Sequence, residues 1–462
     1  MRRLTPLLTT LLVAVSVPRQ AAAQTPPSPT PVAGESASEA FPASPPVDDP
    51  QLAPPPPPPR LVRSWDEALA LVRAQSPDYH STYDGVLRAE AQARVALAAL
   101  LPSATAQGTF AHQLITQNIA VFATQYPEQD AWGVTGNATW SPFDVRAYHT
   151  LGTAKLNVGA SRADLSEKRR VIAESVVSTM LATLAAERVA ELNRVGLRAA
   201  LERLAMAQAK TRFGGGTELD IDRVGQDVAA ARALIIAGDE ALRQARESLG
   251  LALGSRVAIG APGSLDLDRF EATVASTCRI NPDLERRADV QAALRRVELA
   301  KRTVDDVWLQ FLPTLILGSA VSWTSEPVYG PPTTWALEGA LNVPIWDGGA
   351  RYGYLRDARA AADQAEQALA TTRLNEIVAV ERASRAVGVA KASRDVAQQQ
   401  RDLARRVDVR TRQGYLRGVG TSLDLVVSAQ ALRQAEINVA LLQFQTAEAR
   451  VLAVLANADC LF

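Results

Sequence analysis

Cysteine is nearly absent from this chain, with only Cys278 and Cys460 among 462 residues. Two so far apart match neither a dense disulfide framework nor spaced zinc ligands, and both read as incidental. Histidine is equally scarce: His80, His112 and His149 are scattered, so no metal site is expected. An excess of either charge is missing too. The 49 Lys and Arg balance the 49 Asp and Glu, which removes any electrostatic argument for a nucleic-acid partner. Aromatic residues make up 5%, a level suited to closely packed helices rather than a thick core. No Gly-rich phosphate loop, nucleophile elbow or paired-carboxylate motif occurs, so neither an enzyme nor a cofactor is expected. No uncharged apolar run approaches the roughly 20 residues of a membrane-spanning helix.

What is present begins with an export signal over residues 1–23. Arg2 and Arg3 form a basic start, Leu7 to Val17 an apolar stretch, and Ala21-Ala22-Ala23 a small-residue cleavage site. No cysteine follows that site, so no lipid anchor is expected. Residues 24–60 are rich in Pro, Ser and Ala and end in Pro54 to Pro59, a composition that predicts a disordered, extended linker.

The rest of the chain repeats one order of signals, with copies at 61–256 and 287–462 and a connector at 257–286. Ser76-Pro77-Asp78 and Arg287-Ala288-Asp289 each start a helix that ends at a Leu-Pro break, Leu101-Pro102 and Leu312-Pro313. Two alternating runs follow in each copy, at about 104–115 and 131–142, then at about 314–324 and 334–346. Pro142-Phe143-Asp144 and Ile345-Trp346-Asp347 punctuate the passage into long stretches without Pro, about 147–212 and 349–413. Each stretch closes on a Gly turn, Gly216-Thr217 and Gly420-Thr421, and a final helix follows, about 218–253 and 421–457. Gly418 and Gly420 suit a tight reversal with positive φ.

The long stretches predict helices of roughly 100 Å, several times the ordinary length, packed as coiled coils. Leu355, Ala358, Ala362, Ala365 and Leu369 mark one seam by their alternating spacing. The last helix carries two stripes, one including Leu441, Val451 and Leu455 and the other Leu425, Ala429 and Val439. It therefore needs neighbours on two sides. Each pair of shorter helices is about as long as one long helix, which predicts end-to-end stacking beside it.

In the strand-like runs the period changes to two. Trp335, Leu337, Leu341 and Val343 alternate with Thr334, Ala336, Glu338 and Asn342, and Trp132, Val134 and Trp140 alternate with small or polar residues. A half-buried strand of a soluble sandwich alternates in the same way. The signal peptide and the placement of Trp132, Trp140, Trp323, Trp335 and Trp346 in or beside these runs favour transmembrane β-strands with aromatics at the interfaces of outer-membrane lipid. Four strands cannot close around a channel, so several chains must contribute to one barrel.

The ordered set of signal peptide, duplicated Leu-Pro, strand pair, Phe-Asp or Trp-Asp-Gly-Gly, long helix and Gly-Thr-x-Leu-Asp turn resembles the TolC-type outer membrane factors, from about Trp65 to Ala456. The second copy carries the fuller match, in Val343 to Gly349 and Tyr415 to Asp424. The resemblance implies a mostly α protein with a transmembrane β-barrel part. It implies a homotrimer with a 12-stranded barrel continued by a periplasmic tunnel of 12 helices. It also implies an exit duct for an efflux or type I secretion system, with a periplasmic adaptor protein linking it to an inner-membrane pump. Asp424, Asp220 and Tyr415 would then line the pore constriction at the hairpin tips. Gly216, Thr217, Gly418, Gly420 and Thr421 would form the turns that meet the adaptor. Asp424 would either face the pore as an acidic ring or serve as a cap near a helix N-terminus. Aligning Phe213 with Tyr415 makes the first tip two residues shorter than the second. A secreted coiled-coil scaffold or adhesin without a pore is the competing reading.

Overall fold

The computed structural model describes residues 47–112, 130–263, 266–280, 283–325, 331–456 and 458–460. The export signal, the first part of the Pro-rich tract and the end of the first strand-like run, 113–115, lie outside the described residues.

Local chemistry sets most element boundaries. After the two-residue strand β1 (Arg60–Leu61), Ser64 accepts from the Glu67 amide and opens α1 (Trp65–Gln75). Ser76 caps α2 (Pro77–Ala98), where Pro77 occupies a first-turn position whose N–H would have no helical partner. Beyond Leu101-Pro102 the chain extends into β2 (Ser103–His112) and β3 (Asp130–Phe143). Asp144 caps α3 (Val145–Arg212), 68 residues long, and Thr217 caps α4 (Glu218–Ala252). The connector holds β4 (Ile259–Gly260), α5 (Leu267–Thr277) and β5 (Cys278–Ile280). The same order then recurs as α6 (Ala288–Leu309), β6 (Thr314–Thr324), β7 (Thr333–Asn342), α7 (Ala350–Leu416) and α8 (Ser422–Leu455), followed by β8 (Ala458–Cys460). β7 stops short of the expected residue 346 because Pro344 cannot donate to the ladder.

The four long strands form one antiparallel sheet in the order β2-β3-β6-β7. Its register aligns the apolar positions: Val134 lies opposite Gly108 and Trp323, Trp335 opposite Val321, and Leu341 opposite Leu315. Residues paired in this way share a face, so the expected apolar surfaces of the four strands merge into one. Among the described residues, β2 and β7 each keep one unpaired edge.

α2 and α4 both pack on α3, and α6 and α8 both pack on α7. α8 also packs on α3, and its second stripe buries Leu425, Ala429, Ala435 and Val439 while Val451 and Leu455 of the first are equally buried. The main core lies halfway along the long helices. There Trp65, Val176, Met180, Leu249, Phe270, Val274 and Leu455 meet, with Trp65 edge-on to Phe270 at 5.9 Å between ring centroids.

Two expectations are corrected here. Cys278 and Cys460 are not incidental, since they form a disulfide that joins β5 to β8 and so ties the connector to the chain's end. The missed signal was an even cysteine count in an exported chain. The Pro-rich tract is also ordered well before residue 60. The Asp49 carboxylate accepts from the Gln51 amide and from Arg232 at 2.8 Å, and the Ala53 and Pro56 carbonyls accept from Arg194 and Arg246. Composition hid this because polyproline exposes its carbonyls, and arginines on α3 and α4 supply the donors.

Candidate functional site

The two helical hairpins end in turns of the same construction. After α3, Gly214 takes φ 78°, the Gly214 amide donates to Thr211, and the Gly215 amide donates to Lys210. After α7, Gly418 takes φ 80°, the Gly418 amide donates to Tyr415, and the Val419 amide donates to Gly414. The later glycine of each turn serves close approach instead. A Cβ on Gly216 would lie 2.6 Å from Thr211 Oγ1, and one on Gly420 would lie 3.0 Å from the Tyr415 nitrogen. The expected positive φ therefore holds at Gly418 and not at Gly420. The turns are equal in length, and Phe213 corresponds to Arg417 rather than to Tyr415. Matching the two aromatic residues produced the apparent two-residue difference.

Each turn leads into a reciprocal capping box. Thr217 Oγ1 accepts from the Asp220 amide while the Asp220 carboxylate accepts from the Thr217 amide at 3.0 Å. Thr421 and Asp424 repeat the arrangement, with the Thr421 amide donating at 3.3 Å. Asp424 is thus a cap, and its pKa is lowered by the Thr421 hydroxyl and then the Thr421 amide. Asp220 is lowered as well, first by the neighbouring Ser422 hydroxyl and then by the Thr217 amide. Both carboxylates are held ionised.

Tyr415 belongs to the contact between hairpins. Lys210 Nζ lies 4.0 Å from its ring centroid and donates to its carbonyl at 2.9 Å. Burial, and then the charge of Asp220, raise the Tyr415 pKa. Among the described residues its hydroxyl is buried without a hydrogen-bond partner. In contrast, Phe213 and Val419 at the turns are 87% and 85% exposed.

Above the tips lies a charged layer that sequence reasoning missed. Asp227 on α4 is buried, accepts from Arg203 at 2.7 Å and from Gln430 at 3.0 Å, and lies 3.8 Å from Arg433. It joins α3 and α4 to α8. Burial raises the Asp408 pKa and lowers that of Arg433. A cavity of about 120 Å³ between α3, α7 and α8 is lined in part by Arg203, Asp408, Arg412 and Arg433. The available signal was the charge at inward positions of otherwise apolar stripes, but its partners are up to 206 residues apart in contact pairs such as Arg412 and Met206.

At the opposite end, the tryptophans fall into two bands on the sheet. Trp132 beside Phe110, with ring centroids 4.8 Å apart, and Trp323 and Trp335 lie toward the ends of the strands that face away from the helices. Trp140 lies near the helical end, and Trp346 follows β7 there. From Trp132 to Trp140 the strand advances about 26 Å. Trp335 and Trp346 are 71% and 75% exposed.

Comparison with known proteins agrees with this geometry. The pyoverdine export outer membrane protein OpmQ of Pseudomonas putida is 24% identical over 399 residues, covering 84% of each chain. A membrane protein crystal structure from Pseudomonas aeruginosa superposes with a TM-score of 0.73 at 20% identity, covering 91% of this chain and 99% of that one. The outer membrane protein VceC of Vibrio cholerae gives 0.71 at 17% identity, covering 85% and 96%. The CmeC outer membrane channel of Campylobacter jejuni gives 0.70 at 17%, covering 85% and 84%. The outer membrane efflux protein profile matches residues 68–255 and 280–457, nearly all of both element runs, and the chain belongs to the outer membrane efflux protein family.

Proposed function

We propose that three copies of this chain close a 12-stranded barrel in the outer membrane and continue it as a periplasmic tunnel, forming the exit duct of an efflux or secretion system. One observation carries the reading: a four-stranded sheet with an apolar face between two aromatic bands and two unpaired edges. Open edges within a bilayer would leave backbone groups without partners, so the sheet must be completed by other chains. Glu338 and Asn342 stand on the opposite face, suited to a water-filled lumen. A secreted adhesin would have no use for an exposed apolar sheet with Leu337 74% accessible.

The hairpin tips are the end that meets the periplasmic adaptor, and through it an inner-membrane pump. Exposed Phe213 and Val419 supply apolar contact there, and the turn residues Gly216, Thr217, Gly418, Gly420 and Thr421 supply the shape. Asp424 keeps an ionised, solvent-facing carboxylate while capping α8, so three copies around an axis would also form an acidic ring. OpmQ, a pyoverdine exporter by name, makes a pyoverdine-like cargo one candidate for this chain.

Cell fractionation combined with planar-bilayer recording tests the proposal. The expected result is a heat-modifiable oligomer in outer-membrane fractions whose channels prefer cations, with Asp424→Asn reducing that preference. A protein recovered soluble without detergent would contradict the duct. Unchanged selectivity in Asp424→Asn would remove that residue from the pore.

A further inference from the structure

The polyproline run is held as a ridge whose accessibility repeats every third residue. Leu52, Pro55 and Pro58 are half-buried, while Ala53, Pro54, Pro56, Pro57, Pro59 and Arg60 are exposed. Three is the period of a polyproline II helix, which has three residues per turn and so three edges. The Ala53 backbone, at φ −60° and ψ 140°, has that conformation. One edge of the ridge faces the protein. The other two stand side by side in the pairs Ala53-Pro54, Pro56-Pro57 and Pro59-Arg60.

The ridge is pinned along its length. Leu52 packs on the cluster of Leu197, Val228 and Ile235 between α3 and α4. The Ala53 carbonyl accepts from Arg194 at 2.7 Å, and the Pro56 carbonyl accepts from Arg246 at 2.8 Å. A Cβ on Gly260 would lie 2.5 Å from Pro58 Cγ, so this glycine of β4 makes room for the inward edge. Arg60 then pairs with Ile259 as the first residue of β1. These contacts use the inward edge and the backbone, and they leave the outer proline rings uncovered. Arg60 ends the outer edge of Pro54 and Pro57 at the same spacing of three. It has no ion-pair partner among the described residues.

We infer that this ridge is a docking surface for an exported protein with an aromatic-lined groove that ends in an acidic pocket. Pro54, Pro56 and Pro57 would fill the hollows between aromatic side chains, the contact by which such grooves take polyproline II segments. A carboxylate of the partner would pair with Arg60, and this charge at one end fixes the direction in which the partner lies. Because the ridge is ordered in advance, binding costs it little conformational freedom. The inference needs only the exposed ridge of one chain and is independent of the duct.

Binding of a surrogate partner to the full chain in detergent tests it. The probe is a purified SH3 domain that selects Pro-x-x-Pro segments followed by Arg, with an acidic pocket beside its aromatic groove. Saturable binding is expected, tighter than that of a synthetic peptide of residues 52–60, which lacks the pinning contacts. Arg60→Glu should weaken it about tenfold or more through loss of a charge-assisted pair, and Pro54→Glu/Pro57→Glu should abolish it. Both variants change exposed side chains and should keep the wild-type melting temperature. A full chain that fails to bind, or that binds equally well in both variants, would overturn the docking surface. A second copy of this chain covering the ridge is the competing occupant. In that case Pro54→Glu/Pro57→Glu would lower the temperature at which the native oligomer dissociates, and that result would overturn the inference as well.

Discussion

The two end-to-end helix junctions occupy corresponding places in the chain and are built from opposite chemistry. Where α4 stops against the start of α2, the join is neutral and made by close approach. Gly254, at φ 75°, ends α4, and a Cβ there would lie 2.7 Å from backbone atoms of Gln75 and Ser76. Where α8 stops against α6, the join is ionic. Arg287, 4% exposed, donates to the Ala456 carbonyl that ends α8 and pairs with Asp289 at 3.1 Å and with Glu376 at 2.5 Å. Arg170, Glu167 and Glu174 of α3 lie in the same electrostatic neighbourhood. Ser76 and Arg287 are both the residues preceding the first helical turn, so one position has been filled once by a hydroxyl cap and once by a buried cation. The first solution depends on shape, and the second depends on charge and therefore on pH.

Substitutions can break this contrast, beginning with the ionic side. Arg287→Met would leave Asp289 and Glu376 buried without their cation and should cost about 3–5 kcal/mol, against about 1 kcal/mol for Ser76→Ala. Denaturant unfolding of the detergent-solubilised protein would measure both. Equal costs would erase the distinction. Cys460→Ser should cost about 2–4 kcal/mol, because the bridge closes a span of 182 residues beside the ionic junction. Reducing agent should lower the wild-type melting temperature to that of the variant. Gly254→Ala, on the neutral side, should cost about 1–3 kcal/mol through backbone strain and contact with Gln75.

A pH dependence is confined to one junction. Burial first, and then the neighbouring Asp289, push Glu376 up from 4.5 to about 7. Burial also pushes Asp289 upward, but hydrogen bonds from Arg287 and Glu376, the Arg287 charge and the Val290 amide together more than offset it and leave that pKa lowered. A carboxyl whose folded pKa is raised favours the folded state fully below its unfolded pKa, and that contribution is lost as pH rises through the folded value. Stability should therefore decline from about pH 4.5 to about pH 7, and Glu376→Gln should flatten the decline. An unchanged pH profile in that variant would remove Glu376 from the account.

Much of this architecture could be read from residues. Periodicity alone located the four long strands and the very long helices, because each strand alternates and each long helix lacks Pro. The Leu-Pro breaks and the caps Ser76, Asp144, Thr217 and Thr421 marked most ends to within a few residues. The two stripes of α8 correctly implied two neighbours. The rest depended on contacts that no local pattern encodes. Equating Phe213 with Tyr415 misplaced the first turn, since aromatic character was a weaker guide than the Gly-x-Gly-Thr-x-x-Asp spacing that both turns share. Asp227 at the charged layer is set apart from other helix acids only by its contacts with Arg203, Gln430 and Arg433. The order of residues 47–60 came from arginines more than 130 residues away, as in the contact of Arg194 with Ala53.

In the proposed assembly one chain supplies a third of a closed duct. Light scattering on the purified full chain in detergent, corrected for bound detergent, measures that directly. A single species with the protein mass of three chains is expected. A monodisperse single-chain species with the sheet intact would contradict it.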